Sequence, residues 1–491
     1  MFIPTRGGTV LGDAQNYCTN QNHLTREQAL SIPEYMHLDF RRQSGVFLGR
    51  SPYGVRDSYV GIQAGEDFLG VVVGGPGSCK TTGIAIPTLA TWSGSIIALD
   101  IKPKGKMLDS WNFFSWHKHG GKHLLVFNPL KPESWGYNPL LILETDEPKN
   151  KVRNAREIAL SLLPTVADDR DKIWRRTAQQ YLAAVIQYGF DLGMSFTTIM
   201  VALQTEPVSK MLELIMQSDN TLAKMQATQT SSTDAKVINN IGMDISELSV
   251  FATDPDIMSV LSSEKTNIID WRWFNQSKNP IDIAIQIPEE LLEQWSPLTT
   301  LMFNQLTRML ELREEKTESK LPPLLVMVDE FGKIGSVPSI LSGLTTLRSR
   351  GVSFLLFVQY LSQLDIYGRN ALNAFMGCAT HKIILNVGDA TEREYISKMI
   401  GDVETYDWCK TAGCNSQGFV SSYSQQLSTA RKPIIFPEEL GTLNEVIIHH
   451  RTGTTRAQKV PCFTQDFSQY FQNVNLIQPP PLPTHVGGWL Y

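Results

Sequence analysis

Residues Phe68–Thr82, FLGVVVGGPGSCKTT, decide the fold. The apolar run Val71–Val73 leads directly into a turn rich in glycine, which ends at Lys80-Thr81. The order strand, glycine-rich turn, helix start is that of a phosphate-binding loop. In such a loop, backbone N–H groups surround an anion and the positive N-terminus of the helix faces it. The stretch therefore predicts a nucleotide site on an α/β sheet.

The residues of this loop have separate predicted roles. Lys80 would place its charge at the β- and γ-phosphates, and the Thr81 hydroxyl would bind Mg²⁺. Cys79 occupies the position of the second glycine of the motif G-x-x-x-x-G-K-[ST], where a Cβ can crowd or distort the loop. Taken alone, the match is also compatible with an ordinary glycine-rich turn. We expect nucleotide contacts from Gly74, Gly75, Gly77, Ser78, Cys79, Lys80, Thr81 and Thr82.

Composition indicates an ordinary globular protein. The chain has 491 residues, of which 42% are hydrophobic and 19% are charged, enough for two or more domains. Its net charge of −5 gives no overall basic signature for nucleic acid, so any DNA contact must be a local basic patch. No segment approaches the roughly 18–20 apolar residues that span a bilayer.

Cysteine and histidine spacing argues against structural metal or disulfide frameworks. The six cysteines form no CxxC pair, which favours a reducing compartment over disulfides or zinc. Cys409 and Cys414 are spaced wrongly for a zinc knuckle, and we interpret them as loop or core residues. A group of histidines in a loop rich in glycine and lysine is a weak metal-site candidate: His117, His119 and His123.

The spacing of apolar residues is typical of strands and helices in alternation in some parts of the chain and of helices alone in another. Up to about residue 130, short buried runs such as Ser95–Asp100 alternate with helical patterns, as in a parallel sheet with crossover helices. Apolar residues then recur at helical spacing between about 150 and 270, and the next pattern typical of a strand is at Ile281–Ile287. We therefore predict a nucleotide-binding domain in two parts, 1–164 and 271–477, with an all-α insertion at 165–270. The proline-rich tail 478–491 is predicted to be extended, and either docks a partner or lies along its own domain.

A second strand supplies the acidic half of the predicted site. The run Leu324–Val328 ends in Asp329-Glu330, as expected at the carboxyl edge of a parallel strand. Asp329 would hold Mg²⁺ through water or through Thr81. Glu330 would orient and deprotonate the attacking water. An acidic pair after a strand is common, and the phosphate loop upstream is what makes this one informative.

Further residues follow or precede the next apolar strand. Gln359 comes directly after Phe354–Val358, where an amide can contact the γ-phosphate or its water; otherwise it is a surface glutamine. Arg348 and Arg350 precede the strand. One of them, with Arg348 our first choice, could reach a neighbouring subunit's γ-phosphate as an arginine finger, and the alternative is that both are solvated helix-end charges.

Taken together, these motifs resemble the type IV secretion coupling proteins, the TraG/VirD-type ATPases of conjugation. The resemblance covers most of the chain. It rests on motifs in order, among them GVFLGRSPYG, IPTLATWSGSIIALDIKPKG, VFNPLKPESWGYNPL, IWRRTAQQYLAAVIQYG, LLVMVDEFGKIG, VQYLSQLDIYG, GCATHKIILNVGDATEREYISKMIG and RKPIIFPEEL. A generic P-loop ATPase would share only the two nucleotide motifs.

The resemblance implies a RecA-like domain with an inserted helical domain, assembled as a hexameric ring with ATP and Mg²⁺ between subunits. It implies catalytic roles for Glu330 and Gln359 and a location at the cytoplasmic face of the bacterial inner membrane. The implied partners are other type IV secretion components and a cargo that is either single-stranded DNA with its relaxase or a protein effector. Ring closure is also what a trans arginine requires.

Two features depart from the family pattern. Many members have glycine at the position of Cys79, and members usually begin with transmembrane helices, which this sequence lacks. We expect that an anchor was removed or that a partner recruits the chain to the membrane. Two rival functions stay open: a non-hydrolysing adaptor that recruits substrates, and a double-stranded DNA translocase of the FtsK/HerA type.

Overall fold

The fold is described from a computed structural model of the chain. The predicted tail 478–491, Cys18 and His123 lie outside the described residues. The structure describes residues 29–52, 59–102, 106–122, 124–144, 148–164, 172–230, 235–262, 264–334, 337–368, 370–414 and 420–464.

One large sheet organises this part of the chain. Its strand order is β1-β3-β2-β16-β15-β12-β4-β11-β10-β5-β9-β6. All neighbours from β12 to β6 are parallel, and all neighbours from β1 to β12 are antiparallel. The strands are β1 His37–Leu38, β2 Gly45–Arg50, β3 Tyr59–Gln63, β4 Leu69–Val73, β5 Ser95–Asp100, β6 Leu125–Phe127, β7 Gly136–Tyr137, β8 Ile268–Ile269, β9 Asp282–Gln286, β10 Leu324–Val328, β11 Val352–Val358, β12 His381–Ile384, β13 Asp402–Cys414, β14 Val420–Pro433, β15 Glu445–His450 and β16 Gly453–Gln458.

The central strands are apolar because both faces of the sheet are covered. Every residue of β4, β10 and β11 is buried. Successive side chains alternate between the faces, so Val71 and Val73 join one hydrophobic cluster and Val72 joins the other. Such continuous apolar runs are typical of parallel strands between two helical layers. The prediction of an α/β fold with a mostly parallel sheet is confirmed.

The helices fall into two groups along the chain, those around the sheet and a block between β7 and β8. The block runs from α3 to α10, and the parallel pairing of β7 with β8 brings its two ends together. The limits 165 and 270 of the inserted domain stay a prediction. The helices are α1 Ile86–Thr91, α2 Lys106–Lys118, α3 Pro148–Leu162, α4 Lys172–Asp191, α5 Phe196–Thr205, α6 Val208–Gln217, α7 Thr221–Thr230, α8 Ala235–Ser246, α9 Val250–Thr253, α10 Pro255–Val260, α11 Trp273–Gln276, α12 Ser296–Leu310, α13 Pro338–Thr346, α14 Ala371–Cys378, α15 Ala390–Ile400 and α16 Pro437–Leu440.

No helix within the described ranges combines the length and the apolar character needed to cross a membrane. The longest one, α4, has 20 residues and carries charged side chains at Arg175 and Arg176. Arg175 pairs with Asp244 of α8 at 2.9 Å, so this helix is fixed within the helical block by polar as well as apolar contacts.

A buried ion pair closes the amino edge of the sheet, at the strand ends opposite the phosphate loop. Asp282, the first residue of β9, lies 2.6 Å from Lys118 Nζ and 3.2 Å from His119 Nε2. Burial alone would raise the pKa of Asp282, but Lys118 and the adjacent His119 hold it below its usual value. Since the carboxylate also accepts a hydrogen bond from the Ile96 N–H at 3.1 Å, it ties α2 to β5 and β9.

Candidate nucleotide site

The phosphate loop lies between β4 and the first turn of the helix that continues as α1. The Gly74 N–H donates to Val358 O at 3.2 Å and the Gly75 N–H donates to Asn386 O at 2.8 Å, which fixes the loop to the ends of β11 and β12. A Cβ at Gly74 would come within 2.6 Å of Ser78 Oγ, so only glycine fits there. Ser78 is buried beneath this turn. Thr81 and Thr82 begin a π-helical turn, Thr81–Ala85.

Cys79 adopts the backbone conformation of the glycine it replaces. Its φ is +71°, and that of Gly77 is +74°, both in the left-handed region. A residue with a Cβ pays about 1–2 kcal/mol to enter this region. The sequence analysis expected a Cβ at position 79 to crowd or distort the loop, and the structure places the strain in the backbone of Cys79 itself, at a positive φ.

Lys80 is buried with its ammonium group in the loop. Its Nζ donates to Gly74 O at 2.5 Å and to Gly75 O at 3.3 Å. Burial lowers the pKa of Lys80, while the nearby charges of Glu330 and Asp329 act in the opposite direction. The lysine and the two carboxylates therefore lie within electrostatic reach of each other.

The two carboxylates follow β10 on the same edge of the same sheet. Strand β11 separates β10 from β4, so the acidic pair lies about two strand spacings, roughly 10 Å, from the start of the loop. Asp329 and Glu330 are 3% and 1% exposed. Burial raises the pKa of Asp329 to about 6, and the charge of Glu330 adds to that shift. The chain thus brings together the residues that 249 positions separate in sequence.

Glu330 has an unusual environment for a buried acid. Its backbone is left-handed, with φ +53°. Its Oε1 accepts a hydrogen bond from Gln359 Nε2 at 2.7 Å, and within the described residues its buried Oε2 has no hydrogen-bond partner. The Gln359 N–H is itself held by Gln363 Oε1 at 2.9 Å. The contact between Gln359 and Glu330 joins the ends of β10 and β11.

The donor set of this edge fits a divalent cation. Two adjacent buried carboxylates lie within electrostatic reach of Lys80, and one oxygen of Glu330 has no hydrogen-bond partner in the described part of the chain. Mg²⁺ prefers one or two carboxylates together with phosphate oxygens and water. Asp329 and the Thr81 hydroxyl are the residues that would hold it. Elsewhere in the described ranges, His119 is committed to the Asp282 pair, and no cluster of three or more His, Cys, Asp or Glu residues is arranged to hold a metal.

Arg348 and Arg350 lie at the other end of β11 from Gln359. They form the turn that precedes this seven-residue strand, about 20 Å away along its length. Arg350 donates to Arg313 O, whereas the buried Nε of Arg348 has no hydrogen-bond partner in the described ranges. The structure therefore does not bring either arginine into the site of its own chain.

Sequence reasoning missed a set of polar residues at the ends of β5, β9 and β6. Lys102 Nζ lies 3.5 Å from Glu330 Oε1. The Lys102 N–H donates to Asp100 Oδ1 at 3.0 Å, and Asp100 Oδ2 accepts from Gln286 Nε2 at 3.0 Å. Gln286 Oε1 in turn accepts from Asn128 Nδ2 at 3.1 Å. The rule that polar residues directly after parallel strands meet at one edge, applied above to Asp329, would have found Asp100 and Lys102 as well.

Sequence comparison relates this chain to proteins of conjugative DNA transfer. A family model described as type IV secretory system conjugative DNA transfer matches residues 40–479. Protein VirD4 of Agrobacterium fabrum is 25% identical over 395 residues, which cover 78% of this chain and 57% of VirD4. Conjugal transfer protein TraG of the same organism is 22% identical over 455 residues, which cover 89% of this chain and 64% of TraG. The chain thus spans less than two thirds of the length of these relatives.

Solved structures share the fold. The bacterial conjugative coupling protein TrwBdeltaN70 in an unbound form superposes with a TM-score of 0.64 at 15% identity, covering 88% of this chain and 90% of TrwBdeltaN70. TrwB in complex with the non-hydrolysable ATP analogue ADPNP gives a TM-score of 0.63 at 16% identity, covering 94% and 100%. TrwB has also been solved with ADP and Mg²⁺, with a TM-score of 0.58 at 14% identity, covering 81% and 86%.

Proposed function

Because this chain belongs to the family of type IV secretory system conjugative DNA transfer proteins, we propose that it is a coupling protein driven by ATP hydrolysis. It would recruit DNA, as a nucleoprotein, or protein substrates and help to move them into a type IV secretion channel. The observation that supports this most is the convergence of Lys80, Glu330 and Gln359 at one edge of the sheet. An adaptor without hydrolysis has no need for a buried carboxylate pair beside a phosphate loop.

Each residue of the site has its own role in the proposed binding and hydrolysis of ATP. Backbone N–H groups of the loop and Lys80 bind the phosphates, and Thr81 and Asp329 hold Mg²⁺. The metal would neutralise charge on the β- and γ-phosphates. Glu330 accepts a proton from the attacking water at Oε2, since its Oε1 is engaged by Gln359. Gln359, which bonds to the base, would report the state of the γ-phosphate to the loop that follows β11.

The arginine assignment requires a second copy of the chain. Since Arg348 lies at the far end of β11 from Gln359, it can serve only a neighbouring subunit's nucleotide. A ring supplies such a neighbour at every interface, and we propose a homo-hexamer, the ring that the family resemblance implies. A guanidinium at the interface would stabilise charge on the transferring phosphoryl group. Such a ring would work at the cytoplasmic face of the inner membrane, together with other secretion components.

ATPase activity of the purified protein tests this proposal. Phosphate release is measured with Mg²⁺, with and without single-stranded DNA, alongside the oligomer mass in solution. Wild-type protein should hydrolyse ATP, and both Lys80→Ala and Glu330→Gln should abolish turnover. Turnover that survives both changes would refute the site. Stimulation by single-stranded DNA favours the coupling protein, and stimulation only by duplex DNA favours the FtsK/HerA-type translocase.

A further inference from the structure

Lys102 contacts the carboxylate of Glu330 from the neighbouring strand β5. Strands β5 and β10 pair directly, with Leu99 opposite Val328, so the residues that follow them lie side by side. Lys102 Nζ lies 3.5 Å from Glu330 Oε1. The lysine side chain is 53% exposed and the glutamate side chain only 1%, so a solvated cation reaches down to a buried anion.

The other cations near this carboxylate are engaged elsewhere. Lys80 donates to two carbonyls of its own loop, and Lys333 pairs with Glu289. Gln359 holds the same Oε1 that Lys102 contacts. Glu330 is thus held at one oxygen by two donors, while its Oε2 has no hydrogen bond to any described residue. A base held in this way has a fixed orientation and a second, buried oxygen that no described residue engages, which leaves it for the water to be activated.

The backbone that carries Lys102 is fixed by a chain of buried hydrogen bonds. Asp100 accepts the Lys102 N–H and the Gln286 amide through different oxygens, and Gln286 accepts from Asn128. These three residues lie at the carboxyl ends of three adjacent strands and are buried. A loop anchored on three strands holds its lysine in a more defined position than a free surface loop would.

We propose that Lys102 is a positioning residue for Glu330, which together with Gln359 orients the carboxylate so that Oε2 faces the attacking water. This inference rests on the proposed ATP hydrolysis at this site. It goes beyond that proposal by giving the end of β5 a part in the reaction. The competing possibility is that Lys102 binds a phosphate group directly, and it makes a different kinetic prediction.

Steady-state kinetics separate the two possibilities. A residue that orients the base lowers kcat when it is removed and leaves KM for MgATP unchanged, whereas a phosphate contact raises KM. Lys102→Met, which keeps the chain length and removes the charge, should lower kcat by about 10- to 100-fold, the usual effect of losing a group that holds a reacting ligand in place. Lys102→Arg should restore most of the loss. The matched control is Lys398→Met, at a lysine side chain that is 81% exposed on α15, and it should leave kcat unchanged.

Thermal unfolding gives a second readout that needs no turnover. Lys102→Met in the wild-type background leaves a buried carboxylate without its cation and should lower Tm. In the Glu330→Gln background the same change should have little effect, because residues in contact are not additive. Unchanged kcat for Lys102→Met, a raised KM, or an equal fall in Tm in both backgrounds would overturn the inference. If wild-type protein shows no hydrolysis, the proposed function fails, and the unfolding comparison still decides whether Lys102 and Glu330 are coupled.

Discussion

Replacing Cys79 with glycine is the sharpest test of the strained phosphate loop. The cysteine has φ +71°, a conformation that costs a residue with a Cβ about 1–2 kcal/mol. Glycine removes this cost, but it also adds freedom to the unfolded chain, which offsets about 0.4–1 kcal/mol. The difference leaves Cys79→Gly more stable by about 0.8 kcal/mol, within a range of about 0–1.6 kcal/mol.

The corresponding rise in Tm is small for a chain of this size. A change of 1 kcal/mol shifts Tm by about 2–4 °C for 150–250 residues, and the shift falls as the unfolding entropy grows with chain length. We therefore expect a rise of about 1 °C, measured by calorimetry at fixed pH without nucleotide. ATP turnover by Cys79→Gly should equal or exceed that of wild type, because the loop conformation is retained.

Cys79→Ala is the matched control, since it removes the thiol and keeps the Cβ. It should keep the strain, and its Tm should stay at or below that of wild type. A lower Tm for Cys79→Gly would refute the strain argument. A clear loss of turnover in both variants would show that the thiol has a role in the site.

Three further predictions concern charge. Asp329→Asn should raise Tm more at pH 7.5 than at pH 5 without nucleotide. The folded pKa of Asp329 is about 6, above the ordinary value of 3.8, so ionisation of this carboxyl lowers the stability of the fold as the pH rises from about 4 to 6. Above pH 6 the loss reaches up to about 3 kcal/mol. An equal effect of Asp329→Asn on Tm at both pH values would contradict this. Arg348→Ala should abolish turnover while keeping nucleotide affinity, and mixing it with Glu330→Gln protein should restore some activity if the arginine acts in trans. Arg350→Ala, at the arginine bonded within its own subunit, is the comparison, and an equal loss there would refute the assignment. Lys118→Met removes the lysine from the buried Asp282 carboxylate, leaves His119 and the Ile96 N–H beside it, and should destabilise the fold by up to about 3–5 kcal/mol. Chemical denaturation measures this, and a loss no larger than that of the exposed Lys398→Met would contradict the buried pair.

The parts of the fold that the sequence predicted are those with a local signal. An apolar run predicts a strand, and the glycines or acids that follow it mark the edge of the sheet at which the strand ends. This holds for Leu69–Val73, which precedes the glycines of the loop, and for Leu324–Val328, which precedes Asp329 and Glu330. Because all parallel strands end at one edge, Lys80 and Glu330 are expected at the same edge of the sheet without knowing the strand order, and the order β4-β11-β10 then brings them near each other. The family resemblance rests on motifs that occur in the same order along the chain. It is confirmed by the family model that matches residues 40–479.

The parts that were missed depend on pairing between distant segments. Strand β16 lies between β15 and β2, so residues near 455 extend the sheet beside residues near 50. Neither segment carries a sequence signal for the pairing of β16 with β2, because which distant strands pair depends on the arrangement of the whole sheet. The strand-end rule would have placed Lys102 at this edge, but its contact with Glu330 depends on the pairing of β5 with β10, which the sequence does not give.

Single-turnover hydrolysis of radiolabelled ATP by wild-type protein and by Glu330→Gln, with nucleotide binding measured on the same samples, tests the central claim most directly. The account predicts that both proteins bind MgATP with similar affinity and that only the wild type releases phosphate. Equal rates of phosphate release from the two proteins would show that the carboxylate after β10 is not the base, and the proposed site would be wrong.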